Sequence, residues 1–114
     1  MKERRRHNRV DSLNLLSYTC FDCDGNSECQ GMGRTLNVSE SGILLETGEQ
    51  LEEGFQVAVT IAFEENLVEI KGEVVRSLGN PEGMFESGIR FSEVSDEQLD
   101  VLKAYVVAFE KEQA

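Results

Sequence analysis

Arg5 and Arg9 stand four residues apart near the start of the chain, with His7 and Asn8 between them, in a segment without an apolar pattern before Val10. A guanidinium fork matches two oxygens of a phosphodiester at once, and its flat face stacks on a purine ring. One residue type therefore suits both halves of a nucleotide. A solubilising basic tail explains an isolated arginine cluster equally well. The second element is the run Asn37-Val38-Ser39-Glu40-Ser41-Gly42, which lies between two β-like segments. Asn37 offers a carbonyl and an amide to a base edge, Ser39 adds a hydroxyl, and Gly42 permits close backbone approach or positive φ. Alone, such a run reads as an Asx or Ser turn between strands.

The charge distribution says where an anion can bind. The 114-residue chain has a net charge of −11, yet residues 1–10 carry Lys2, Arg4, Arg5, Arg6 and Arg9 against Glu3 alone, a net +4. The remainder holds six basic and twenty-one acidic residues, or −15, which repels DNA, RNA and anionic lipid over most of the surface. An anionic partner must bind at the arm. A nucleic-acid-binding arm conflicts further with the lack of aromatic residues among the basic ones.

The other reactive residues support no catalysis. His7 is the only histidine and has no nucleophile or carboxylate arrangement around it. Glu52-Glu53 and Glu64-Glu65 fall in expected turns, where solvated charge is the usual role. Cys20-x-x-Cys23 with Cys29 is a single half-site, short of the paired set that closes a zinc tetrahedron, and no βαβ pattern supports a redox motif. Three cysteines within ten positions make a poor disulfide framework, so reduced thiols are expected. Arg76 and Arg90 could reach the ligand from the barrel surface, but either could equally pair with one of many surface carboxylates, so both are left out of the site.

These residues need a scaffold, and the length suits one domain with a single core. Val57, Val59, Ile61 and Phe63 alternate at the period of a half-buried strand, as do Val68, Ile70, Gly72 and Val74 after the Glu64-Glu65-Asn66 turn. Asn80-Pro81-Glu82-Gly83 reads as a tight turn before a further strand containing Phe85, Ile89 and Phe91. Leu15 to Phe21, Arg34 to Asn37 and Gly42 to Glu46 are shorter β-like runs, with a polar loop expected from Asp22 to Gln30. At the end the period becomes helical through Leu99, Leu102, Tyr105, Val106 and Phe109, over about residues 95–112. Ser95 and Gln98 form a capping box, with Val94 and Leu99 placed as a hydrophobic staple. The sum is a small antiparallel barrel plugged or flanked by one helix. No run approaches the roughly 18 uninterrupted apolar residues of a membrane span, and the basic start leads into Asp11-Ser12-Leu13-Asn14 rather than a signal core, so a cytoplasmic protein without membrane insertion is expected.

Taken together, Arg5-x-x-x-Arg9 and Asn37-x-Ser39-x-x-Gly42 resemble the paired motifs of the PilZ domain family. Gly54 before a strand, Gly72-Glu73-Val74-Val75-Arg76, Gly88-Ile89-Arg90-Phe91 and the closing helix extend the resemblance over most of the chain. It implies a mainly β fold: a six-stranded antiparallel barrel over residues 11–114 with a C-terminal helix, preceded by a flexible ligand-binding arm at residues 1–10. It also implies a bacterial origin and, as ligand, the second messenger cyclic di-GMP, with no enzymatic activity and no other cofactor. Arg5 and Arg9 would grip phosphate and stack on guanine, while Asn37, Ser39 and Gly42 would form the base-reading turn. Arg4, just before the first motif arginine, implies two intercalated ligand molecules per chain. Ligand-driven ordering of the arm would then signal to a separate effector protein. The competing expectation is a nucleotide-independent adaptor that keeps the barrel and uses it to bind a protein partner.

Overall fold

Alternation of apolar and polar residues closes this chain on itself. In the computed structural model, which describes residues 15–113, the strands are β1 (Leu15–Phe21), β2 (Ser27–Val38), β3 (Gly42–Thr47), β4 (Gln56–Phe63), β5 (Asn66–Gly79) and β6 (Phe85–Glu93), followed by helix α1 (Asp96–Gln113). They form a closed barrel in the order β1-β2-β3-β6-β5-β4, every neighbouring pair antiparallel. Closure leaves no free sheet edge. The inward residues include Leu16, Tyr18, Ile43, Leu45, Val57, Val59, Ile61, Ile70, Val74 and Ile89, all in one core cluster.

Both ends of the barrel are sealed, by different means. At one end, buried hydroxyls satisfy one another: Thr47 Oγ1 lies 3.0 Å from Ser87 Oγ, which lies 2.8 Å from Ser77 Oγ, which accepts from Leu51 N–H at 3.1 Å. Buried polar groups carry little cost when partnered in this way. At the other end α1 buries Leu102, Tyr105 and Phe109 in the core cluster. Tyr105 meets Phe63 edge-on at 6.2 Å between ring centroids and places its hydroxyl 2.9 Å from Thr35 Oγ1. The expected capping box holds α1 in place: Ser95 Oγ accepts from Gln98 N–H at 3.2 Å, and Gln98 Oε1 accepts from Ser95 N–H at 2.9 Å. The Gln98 amide also donates to the Glu69 carbonyl at 2.7 Å, tying the helix start to β5.

Two expectations about the β1–β2 region are corrected. The polar stretch expected as a loop through Gln30 is a loop only to Asn26, because Ser27 to Gln30 pair with β1 and extend β2. The turn is built on Asp22, whose carboxylate accepts the Asp24 and Asn26 backbone N–H groups at 2.9 Å each. Those bonds, Asn26's foremost, hold its carboxyl below the ordinary range. The pairing also sets Cys20 opposite Cys29, with Cα atoms 5.0 Å apart, and the two form a disulfide. Reduced thiols were expected from the odd count, but cross-strand register, invisible in spacing alone, decides which sulfurs meet. Cys23 remains a free, exposed thiol.

Candidate functional site

Two β-bulges decide what the outer face of β2, β3, β6 and β5 displays. In β2 the register shifts between Thr35 and Asn37. Thr35 and Val38 are buried while Leu36 and Asn37 are not, so the extra residue turns Asn37 outward when strict alternation would have turned it into the core. In β5 the register shifts between Val74 and Arg76. Val74 and Ser77 are buried while Val75 and Arg76 are both exposed, so this bulge likewise re-aims Arg76.

Between the bulges lies an open groove of about 520 Å³, lined by Asn37, Ser39, Ser41, Gly42, Leu44, Val75, Arg76, Gly88 and Arg90 over a base of Val38, Ile43 and Ile89. Asn37, Ser39 and Gly42 are thus brought together as the sequence reading expected. Asn37 is the next-to-last residue of β2, however, and only Ser39 to Ser41 form the turn. The turn is drawn tight by Ser39 N–H donating to the Gly42 carbonyl at 2.9 Å, and Ser39 Oγ lies 3.1 Å from Ser41 Oγ. Asn37 Oδ1 accepts its neighbour's Val38 N–H at 2.9 Å, which fixes the amide's orientation at the groove's edge. Of the two reasons for a glycine at position 42, close approach applies: a Cβ there would stand 2.5 Å from the Ile89 carbonyl oxygen, and φ is not positive.

The two strand arginines have different surroundings. Arg90 donates to Glu73 Oε1 at 3.1 Å in an exposed ion pair. Such a pair contributes only about 0–1 kcal/mol and yields readily to a stronger anion. Arg76 has no ion pair among the described residues. Sequence reasoning left it out together with Leu44, Val75 and Gly88. The only trace of its placement is Val74-Val75-Arg76, where two adjacent valines break the alternation of β5. Arg4, Arg5 and Arg9 lie outside the described residues.

Comparison with known proteins places this architecture. The chain shares its fold with the PilZ domain of YcgR from Escherichia coli, solved with cyclic di-GMP, at a TM-score of 0.61 and 14% identity over 87% of this chain and 84% of that one. The Bacillus subtilis inhibitor of motility MotI/DgrA is similar at a TM-score of 0.64 and 17% identity, covering 87% of this chain and 48% of that one. The PilZ domain of CeSA from a cellulose-synthesizing bacterium matches at a TM-score of 0.58 and 13% identity, over 86% and 95% of the two chains. No curated protein sequence matches. The family model of the PilZ domain matches residues 3–108, nearly the whole chain, and with the barrel and its closing helix this makes the protein a member of the PilZ domain family.

Proposed function

We propose that this protein is a receptor for cyclic di-GMP, which it holds between the N-terminal arm, residues 1–10, and the groove of the domain formed by residues 11–114. The convergence of Asn37, Ser39 and Gly42 on one groove carries the reading. It is supported by the family match and by a structural relative that was solved with this ligand. Arg5 and Arg9 take the phosphates and stack on guanine, and the Asn37 amide and Ser39 hydroxyl address the base from the turn. Geometry favours this division of labour. The chain enters β1 at Leu15, opposite Arg34, and β2 runs on to Val38, so the arm is tethered at the turn's end of the barrel. Five residues lie between Arg9 and Leu15, so the six Cα steps reach about 20 Å at full extension.

Arg4 adds a cation for a second, intercalated ligand, giving two per chain. Binding orders the arm over an otherwise acidic body and so changes the shape and charge offered to an effector protein in the bacterial cytoplasm. Titration calorimetry with cyclic di-GMP, repeated on Arg9→Ala and Ser39→Ala, tests the reading. Saturable binding by the native chain and its loss in both variants are expected. An isotherm that saturates at one ligand per chain would remove the role assigned to Arg4.

A further inference from the structure

The strand registers align four outward residues in one transverse row across the groove. Asn37 pairs with Leu44, Leu44 with Gly88, and Gly88 with Arg76. With adjacent strands about 4.8 Å apart, the row spans roughly 14 Å from backbone to backbone. Its ends are polar and its middle is low. Gly88 contributes no side chain, and a Cβ there would touch Val75 Cγ2 at 3.4 Å and Arg76 Cγ at 3.5 Å, so both neighbours lean over the bare glycine. The Arg76 stem therefore lies along the floor, with Nε 3.9 Å from that same point.

A planar base resting on Leu44 would present one edge to the Asn37 amide and the opposite edge to the Arg76 fork, whose stem lies over Gly88. We propose that Arg76 makes the groove selective for guanine over adenine, an inference that rests on the cyclic dinucleotide reading above. Guanine offers two adjacent acceptors, O6 and N7, to a donor fork, whereas adenine offers N7 beside the N6 amino donor and leaves one guanidinium N–H opposed. Arg76 is free to serve, because no carboxylate among the described residues holds it. The bulge at Val74–Arg76 is what aims it there, and it is a feature that barrel closure alone does not require.

The experiment is calorimetric titration of the full chain with cyclic di-GMP and, separately, cyclic di-AMP, on the native protein, Arg76→Ala and Arg90→Ala. Circular dichroism melting confirms that each variant folds. The native protein is expected to prefer cyclic di-GMP. Arg76→Ala should weaken cyclic di-GMP binding by roughly tenfold or more while changing cyclic di-AMP binding little, so the preference collapses. Arg90→Ala removes a cation from the same groove and should weaken both ligands by the same factor, leaving the preference intact. Equal affinities in the native protein, or an Arg76→Ala variant whose preference is unchanged, overturn the selectivity role and leave the receptor reading standing. A native protein that binds neither dinucleotide overturns both.

Discussion

The hydroxyls of Thr35 and Tyr105 lie 2.9 Å apart inside the barrel, joining the closing helix to the strand that ends in Asn37. Both residues are buried, at 1% and 0% exposure, so loss of the Tyr105 hydroxyl removes a buried hydrogen-bond partner of Thr35. Tyr105→Phe should destabilise the fold by about 1–2 kcal/mol, read from urea unfolding midpoints. The same helix surface packs Leu102 and Phe109, so the substitution loosens the end of the barrel at which the turn sits.

Alkaline pH provides a second test of this packing. Burial raises the phenol of Tyr105, and burial followed by the charge of Glu49 raises that of Tyr18. An unfolded tyrosine ionises near pH 10, while the folded barrel keeps both protonated to higher pH. Stability is therefore undiminished by these groups below pH 10 and falls as pH rises from there through the folded values. Unfolding midpoints should be flat from pH 8 to 9.5 and drop above 10, with a shallower drop in Tyr105→Phe.

Thiol accessibility checks the β1–β2 register. With Cys20 and Cys29 joined and Cys23 exposed, alkylation of the unreduced, denatured protein should add one label, and prior reduction should raise this to three. Removing the crosslink with Cys20→Ala and Cys29→Ala together should cost about 2–3 kcal/mol, in keeping with its short loop. Three labels without reduction would contradict the pairing.

At position 42, an added methyl group would press on the Ile89 carbonyl, which is held in the β3–β6 ladder. Gly42→Ala should lower stability by about 1–3 kcal/mol and displace the Ser39–Ser41 turn, so nucleotide affinity falls with it. Gly48→Ala is the control, because a Cβ there meets nothing within 4 Å.

Much of the molecule was legible in the sequence because its period is local information. The Gln56–Phe63 strand, the capping box at Ser95 and the helical face from Leu99 to Phe109 follow from spacing alone, and structure matches each. The paired motifs found the turn. Register was not legible. Cys20 faces Cys29, and Asn37 shares a row with Arg76, only through pairing between strands distant in sequence or offset by a bulge. A bulge adds a single residue, and nothing in the run Thr35-Leu36-Asn37 announces one. Spacing alone therefore does not decide between Arg76 reaching the ligand and Arg76 paired on the surface, whereas β5 turns it onto the groove.

The central claim is that arm and groove together hold cyclic di-GMP, and direct titration of the native chain tests it best. The account predicts a saturable isotherm that Arg9→Ala and Ser39→Ala each abolish or weaken at least tenfold while their melting curves stay native-like. A native chain that gives no heat or shift with cyclic di-GMP, while remaining folded, would contradict it.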